Sequence, residues 1–551
     1  MNETNDRNGS AFRDPAQTAG GSGAFAAPGA FAAPGAPADS SRVFSLAETV
    51  FAWLCLLFGY LFFRVFPLFD HPLGTAAVAI CLYAVTLAVL LAEKKKPDGV
   101  LPILAFASAV VLSVACFLCG DSLLRFFSAA YAAVLYPFFL TAWNGHRLER
   151  GFSDLVFPDF VRALFTCPFA SFRAVFSACR GGKKGSGVIG KAVVGLLIAV
   201  IPTVVVGSLL SYDEGFRKIL GSIFTFTAAD AVSQLFSILF GVLLGMYLFG
   251  AYLTSADKKQ VGRTTAELCR DQAERARILP SITAVAAVLP LLFLYGVFFV
   301  SQWSYYVSAF RGVLPEGTVY SEYAREGFFQ LCAVAALNFF LTALLLSFLK
   351  RREDGRPPVA VTAAATLLSL STLILIATAV SKMALYIDAY GLTRLRVLST
   401  WFMVVIALCT LIVAVGLFWK KIKPLPSCLA VAVVLFAALT LSSPDRLIAD
   451  YNVEKYLDGT LKSVDVELLG DLGDDAIPAL LRLADHWDEK NGTDVKTLLK
   501  DSSGVELPRE YRLTMFRIAV RLDDPAPDLF ERDLSYFLAE KALKDAGLKE
   551  D

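Results

Sequence analysis

SAFRGVLPEGTVYSEYAREGFFQLCAVAALN, residues 308–338, decides the fold, because it shows the chain leaving a membrane and entering it again. Its first part contains Pro315 and Gly317, a turn pair that stops a preceding helix. Its second part opens the apolar run 328–349, which is long enough to cross a bilayer. Between them lie residues that suit a membrane–water boundary: Tyr320, Tyr323, Arg325 and Glu326. We expect either an ordinary interfacial anchor or a recognition surface here.

Apolar runs of this kind recur along the chain. Of its 551 residues, 56% are hydrophobic and 18% are charged, whereas a soluble domain has about 25% charged residues. The mean hydropathy is +0.58. Runs of spanning length lie at 46–66, 74–92, 100–119, 123–143, 188–210, 231–253, 278–300, 328–349, 359–381, 395–419 and 426–441. The sequence therefore predicts an all-α fold, a polytopic transmembrane helical bundle of about eleven spans, with a small C-terminal helical domain.

Orientation follows from the basic residues near the span ends. Alternate connections together with the N-terminus hold 27 Lys and Arg residues, and the opposite side of the membrane part holds 9. Because basic loops stay in the cytoplasm, we expect a cytoplasmic N-terminus. Eleven spans then place the C-terminus outside the cell, whereas an even number would reverse that side. The last run, 426–441, is short, so the count depends on it.

Three regions follow from composition. Residues 1–42 repeat AFAAPG, are rich in Gly, Ala and Pro, and should be disordered in the cytoplasm. Residues 43–443 form the transmembrane part. Residues 444–551 hold 25 acidic and 15 basic residues and predict an acidic, extracytoplasmic helical domain. Within it, Asp474 can N-cap a helix over 475–485 with Pro478 in its first turn.

Two more helices are expected in this region, because apolar residues recur at helical spacing. Those residues are Phe516, Val520, Phe530, Leu534, Phe537 and Leu538. We also expect the first helix of the region to dock on the outer ends of the spans, since it starts directly after the last span; a tethered independent domain is the alternative. Its apolar stripe would be Leu447, Ile448, Val453 and Leu457.

Several classes of chemistry lack their residues. The three histidines, His71, His146 and His486, are far apart, so we expect no metal site and no histidine-dependent catalysis. Cys116 and Cys119 form a lone C-x-x-C inside an apolar run and suit small buried side chains. No phosphate-binding loop follows a strand, and the basic runs read as topology signals, so we expect no cofactor and no nucleic-acid partner. No catalytic residue is assigned.

The remaining polar residues collect at one level. A candidate outer polar rim comprises Asp213, Tyr323, Arg325, Glu326, Lys382, Asp388, Tyr390, Arg394 and Arg396. Glu326 would be the natural partner of Arg394 or Arg396, because a carboxylate best holds an interfacial guanidinium. The alternative to a shared rim is that these charged residues lie at separate helix ends and do not contact one another. Asn338 is a candidate intramembrane polar residue.

Three stretches carry a resemblance to a known family: residues 308–338, AYGLTRLRV at 389–397, and PDRLIADYNVEKYLDG at 444–459. They resemble an uncharacterised bacterial multi-pass family, domain of unknown function 4173, which has a related family 4153. The resemblance covers roughly 46–483. It implies an integral protein of the bacterial cell membrane with no assigned activity, cofactor or catalytic residue.

Function is left open between three classes. We favour a non-enzymatic envelope sensor or a partner subunit for signalling or transport, because the acidic region and the polar rim are outside. Besides the lipid bilayer, its partner would be a membrane protein such as a histidine kinase or an ABC permease. A secondary transporter is the alternative, for which Pro202 and Asn338 are weak pointers. A membrane-embedded transferase is third, since no acid and base can be assembled.

Overall fold

Helices account for the regular structure of the computed structural model. It describes residues 42–65, 71–180, 206, 228–257, 265–301, 328–353, 355–500 and 507–549. The first helices are α1 (Leu46–Val65), α2 (Pro72–Ala92), α3 (Leu101–Leu118), α4 (Ser122–Trp143), α5 (Val156–Val161), α6 (Cys167–Ala170), α7 (Ala174–Cys179) and α8 (Ala228–Ala256). A π-helical turn, Arg162–Thr166, separates α5 from α6.

The chain continues through helices of similar character. They are α9 (Ala266–Arg275), α10 (Ser281–Ser301), α11 (Phe328–Phe348), α12 (Val359–Tyr390), α13 (Arg394–Phe418) and α14 (Pro424–Leu441). The C-terminal helices are α15 (Pro444–Leu457), α16 (Val466–Asp471), α17 (Ile477–Asn491), α18 (Val495–Lys500), α19 (Arg509–Asp523) and α20 (Leu534–Asp545). Short 3₁₀ turns lie at Gly473–Ala476 and Leu529–Glu531.

Ten of these helices, α1–α4, α8 and α10–α14, are long and apolar enough to cross a membrane. They coincide with ten of the eleven predicted spans, and the described residues contain no strand. The all-α polytopic fold is therefore confirmed. The predicted span 188–210 lies outside the described residues, as do residues 1–41 of the Gly/Ala/Pro-rich N-terminus.

The first group of spans packs around aromatic and alanine side chains. Phe51, Tyr83, Tyr136 and Phe249 are almost fully buried there. Helices α5–α7 also pack on this core. In these helices and the π-helical turn between them, Ala163 and Val175 are buried, whereas three phenylalanines are exposed: Phe157, Phe165 and Phe169. This segment thus packs on the bundle and also exposes phenylalanine side chains.

Helices α1 and α8 approach each other at glycines. A Cβ atom on Gly59 would lie 2.1 Å from the Gly241 carbonyl oxygen, and one on Gly245 would lie 2.8 Å from the Leu56 Cα atom. No side chain fits between these backbones. Small residues permit such contact between membrane helices, where burial of apolar area alone does not drive association.

A second group of spans, α10–α13, packs around Leu368, Leu375, Ala379 and Met403. Helix α14 joins it to the first group, because Leu439 contacts the residues at the α3–α4 turn. Helix α12 continues to Tyr390. The predicted span, which ends at 381, is therefore shorter than the helix.

The C-terminal helices have their own apolar core. Its residues include Ile448, Val453, Leu469, Leu480, Trp487, Tyr511, Ile518 and Leu543. Only Ser442 and Ser443 separate α14 from α15, and Ser443 adopts a left-handed backbone with φ of 46°. Pro444 then occupies the first turn of α15, where a missing N–H costs nothing.

Two expectations about these helices need correction. Asp474 does not N-cap a helix over 475–485, because the 3₁₀ turn Gly473–Ala476 comes first and α17 begins at Ile477. The helices that contain Phe516 and Phe537 exist, but both side chains are exposed. Helix α19 buries Tyr511, Met515 and Ile518 instead, because these side chains join the apolar core that α17 also forms. Leu447 of the predicted α15 stripe is also exposed, while Ile448 and Val453 are buried.

Candidate functional site at the C-terminal face

The C-terminal helices sit on one end of the bundle, which we call the C-terminal face. At this end α2, α4 and α13 begin and α3, α12 and α14 end. Helix α15 contacts α13, α20 contacts α3, and the 3₁₀ turn Leu529–Glu531 contacts α2. The predicted docking of this region onto the span ends is thus present among the described residues.

Asp445, in the first turn of α15, binds Arg394, the first residue of α13. The Arg394 Nε atom donates to Asp445 Oδ1 at 2.7 Å, and its Nη2 atom donates to Asp445 Oδ2 at 2.7 Å. Asp445 is 1% exposed. Planar forks of this type are strong and directional. Asp121, the N-cap of α4, lies 3.6 Å from the same guanidinium.

Glu326 is the predicted partner of Arg394 or Arg396, and that pairing stays a prediction. Glu326 lies outside the described residues. The carboxylate that holds Arg394 in the structure belongs to Asp445. The residues of the two motif stretches 389–397 and 444–459 therefore contact each other directly.

A second tie joins Asn452 of α15 to the turn between α12 and α13. The Leu392 N–H donates to Asn452 Oδ1 at 2.6 Å, and Asn452 Nδ2 donates to the Leu392 carbonyl at 2.9 Å. Gly391 makes room for this amide: its φ is +73°, and a Cβ atom there would lie 2.4 Å from Asn452 Oδ1. Glycine is required on both counts.

Arg396 stabilises the same turn from the other side. Its Nη1 atom donates to the carbonyl of Tyr390 at 3.1 Å and also to that of Gly391. Its guanidinium lies 4.1 Å from the centre of the Tyr386 ring, a cation–π distance. Arg396 therefore caps the α12 C-terminus, where unpaired carbonyls remain.

A third tie runs from α4 to α20. Arg125 is 5% exposed, and its Nη2 atom donates to the Gly120 carbonyl at 3.0 Å and to Asp533 Oδ2 at 3.1 Å. Asp533 also N-caps α20 by accepting from the Tyr536 N–H at 2.9 Å. Burial raises the pKa of Asp533, while this N–H and Arg125 hold it down.

Beside these ties lies a cavity of about 320 Å³, between the α3–α4 turn and the C-terminal helices. Asp475 lines it and accepts from the Ser535 hydroxyl at 2.7 Å. Burial raises the pKa of Asp475 to about 7, and the charges of Asp445 and Asp533 act in the same direction. Burial likewise raises the pKa of Asp445, against the effect of Arg394.

The predicted rim is only partly described. Arg394, Arg396 and Tyr390 meet at the α12–α13 turn, while Lys382 and Asp388 lie in the last turns of α12. Asp213, Tyr323, Arg325 and Glu326 lie outside the described residues, so their grouping stays a prediction. Asn338 is 1% exposed inside α11 and accepts from the Tyr295 hydroxyl at 2.7 Å.

Sequence reasoning missed the carboxylates that organise this face: Asp121, Asp445, Asp475 and Asp533. Asp121 had a signal, because it follows one apolar run and precedes the next at an N-cap position. Asp445 stands in a motif stretch but has no local feature that identifies its partner. In the part of the chain that the structure describes, no three His, Cys, Asp or Glu residues are grouped to hold a metal ion.

The sequence matches the family described as domain of unknown function (DUF4153) over residues 106–483. This range runs from α3 into α17 and includes both motif stretches that contact each other. It begins later than the expected 46 and ends at the expected 483. The match does not show the related family 4173. No curated protein and no solved structure matches the chain.

Proposed function

Since the chain belongs to the DUF4153 family, whose domain has no assigned function, we propose its function from the geometry of the C-terminal face. We propose a non-enzymatic sensor or partner subunit of the bacterial cell envelope. The C-terminal region, residues 444–551, would recognise the ligand or partner. The observation that carries this proposal is the Arg394–Asp445 fork, because it links α15 directly to the start of a membrane span.

The fork does not act alone. The Asn452 amide holds the α12–α13 turn, and Asp533 holds Arg125 of α4. A ligand or partner that shifts α15 or α20 would therefore bias three spans through hydrogen bonds. Coupling between two sites requires such an element with more than one arrangement. The membrane partner would be a protein such as a histidine kinase or an ABC permease.

This function requires the C-terminal face to lie outside the cell, which the uneven distribution of Lys and Arg residues also predicts. Alkaline phosphatase folds only outside the cytoplasm, so we expect a fusion after Asp551 to be active. A fusion after Leu349, at the other end of α11, should be inactive and serves as the matched control. An inactive Asp551 fusion at normal expression, with activity after Leu349, would reverse the orientation.

The sensor proposal is tested on the full chain in nanodiscs by amide hydrogen exchange of α15 and α13. A panel of small envelope solutes is added, and a sensed ligand should slow exchange in both helices. Asp445→Asn should keep the slowing in the C-terminal helices and lose it in α13, since the fork is weakened. Slowing that reaches α13 equally in wild type and variant would rule out transmission through the fork.

A secondary transporter is the second candidate, and the Tyr295–Asn338 hydrogen bond favours it. Both side chains are more than nine-tenths buried between α10 and α11, at membrane depth. Polar groups inside spans often mark a substrate path. Proteoliposome uptake of a solute that the nanodisc assay identifies, abolished by Asn338→Leu, would establish transport in place of sensing.

A further inference from the structure

The cavity beside Asp475 has a wall with an excess of negative charge. Its carboxylates are Asp471, Asp474, Asp475, Glu531 and Asp533, and its guanidinium is Arg394. Asp445 already binds Arg394 with both carboxylate oxygens, so this guanidinium offers little to an anion. A wall of this sign raises the local concentration of cations and disfavours anions.

Most of these carboxylates have basic neighbours. Asp474 binds Arg521, and Asp533 binds Arg125. Asp471 lies 3.9 Å from Arg517, and Glu531 lies 3.7 Å from a His71 nitrogen. Their charges are therefore at least partly compensated within the protein.

Asp475 differs from them. It is 4% exposed, and its Oδ1 atom accepts from the Ser535 hydroxyl. Its Oδ2 atom is buried and has no hydrogen-bond partner. Among the described residues, no Lys, Arg or His lies within ion-pair distance of this carboxylate. A buried, unpaired carboxylate is costly, and a cation placed beside it would repay much of that cost.

Gly120 shapes the cavity next to this atom. A Cβ atom on Gly120 would lie 2.2 Å from Asp475 Oδ2 and 3.1 Å from the Ser535 hydroxyl oxygen. Any side chain at position 120 would therefore displace the carboxylate. The α3–α4 turn can approach the Asp475 carboxylate this closely because its residue is glycine.

We propose that this cavity binds a small organic cation whose ammonium group forms an ion pair with the Asp475 carboxylate. The inference rests on the proposed function, since the ligand would lie between α20 and the α3–α4 turn and would bear on the same ties. An ammonium ion fits better than a metal ion, because the described residues lack a group of three ligating side chains. The volume of about 320 Å³ accommodates a molecule larger than a single ion. The raised pKa of Asp475 agrees with a carboxylate that has no cation beside it.

The test uses the purified full chain in detergent at pH 8, with 1,4-diaminobutane as the probe, titrated by calorimetry at constant ionic strength. We expect saturable binding to wild type and at least tenfold weaker binding to Asp475→Asn. Gly120→Ala should weaken it similarly. Glu467→Gln is the matched control, because Glu467 pairs with exposed Arg509 away from the cavity, and it should bind as wild type does. Unchanged affinity in Asp475→Asn, or equal heat from sodium or magnesium chloride, would overturn the proposal.

Binding and coupling give separate readouts. Diamine binding that depends on Asp475 but leaves α13 exchange unchanged would support the site and refute the sensor function. A failure of the diamine to bind, alongside another solute that slows α13 exchange, would refute the cation site and leave the sensor function standing.

Discussion

The contact between α1 and α8 is made of glycine, whereas the contact between α15 and the α12–α13 turn is made of ionic and amide groups. Gly59, Gly241 and Gly245 let two backbones touch and present no chemical group to a ligand. At the C-terminal face, Arg394, Asp445 and Asn452 hold two elements together by directed hydrogen bonds. The first contact can serve only packing. The second can be strengthened or broken by charge, protons or a bound molecule, and it is therefore where function is best sought.

The comparison predicts that a large side chain in the glycine contact causes the largest loss of stability. Gly59→Leu forces a side chain against the Gly241 carbonyl, so α1 and α8 must separate. We expect a loss of at least about 3 kcal/mol, the upper end of overpacking costs. The measurement is the yield of monodisperse protein and its thermal midpoint in detergent.

Gly296→Leu in α10 is the control for that change. Apart from adjacent residues and the nearby backbone of its own helix, no heavy atom lies within 4 Å of a Cβ atom built at Gly296, so this variant should stay near wild type. Equal damage from both substitutions would show that leucine disturbs any span and that the α1–α8 contact is not special.

Substitutions in the ionic contact between Arg394 and Asp445 should cost less stability than Gly59→Leu does, and their effect should be local. Asp445→Ala leaves the Arg394 guanidinium without its fork, and we expect a loss of about 2 kcal/mol. This is less than for a fully buried pair, because the Arg394 side chain is 42% exposed. Arg394→Lys should lose part of the same amount, since lysine cannot form the fork.

Hydrogen exchange of α15 amides measures this effect locally. Exchange there should quicken in Asp445→Ala, while the α1–α8 amides keep their wild-type rates. Arg509→Ala, which removes an exposed pair with Glu467, should change neither. If Asp445→Ala speeds exchange no more than Arg509→Ala does, the fork contributes little to docking.

The third prediction concerns the pH dependence of stability, to which the glycine contact between α1 and α8 should not contribute. Asp475 has a folded pKa of about 7, against an ordinary value of 3.8. The folded state therefore holds a proton that the unfolded chain releases between these values. This contribution to stability is full below about pH 4 and disappears as pH rises through about 7. Wild type should lose of the order of 2 kcal/mol between pH 5 and pH 8 through this group.

Asp475→Asn cannot titrate, so its thermal midpoint should fall less across that range and exceed the wild-type value at pH 8. Part of the slope should remain, because burial also raises the pKa of Asp445 and Asp533. Glu467→Gln should retain the full wild-type slope. Parallel curves for wild type and Asp475→Asn would mean that the carboxylate is ionised in the folded protein across the whole range.

The two contacts also differ in what the sequence can reveal. The apolar runs predict the spans because a bilayer imposes a length of about 20 residues on each. The Arg394–Asp445 pair joins residues that are 51 positions apart, and no local pattern specifies it. Both partners lie in motif stretches, 389–397 and 444–459, but nothing in these stretches indicates that the two residues pair. The sequence analysis takes Asp475 only as the first residue of a helix that Asp474 caps, and packing against Gly120, which no local pattern shows, makes this carboxylate unusual.

The smallest effect concerns the predicted neighbours of the α12–α13 turn. We expect Tyr323, Arg325 and Glu326 to lie close to Tyr390, Arg394 and Arg396. Because Asp445 already holds two nitrogens of Arg394, Glu326 can add only an exposed interaction of about 0–1 kcal/mol. Glu326→Gln should therefore shift the thermal midpoint far less than Asp445→Ala does.

Proximity itself is tested by crosslinking, which does not depend on that energy. Glu326→Cys with Tyr390→Cys should react with a short bismaleimide, and Tyr390 is suitable because 48% of it is exposed. Exposed Cys81 is replaced by serine in every variant. Glu326→Cys with Glu353→Cys is the control, since Glu353 follows α11 at the opposite end of the bundle. Crosslinking in the control alone, or in neither pair of a folded protein, would remove these three residues from the C-terminal face and leave Asp445 as the carboxylate that defines it.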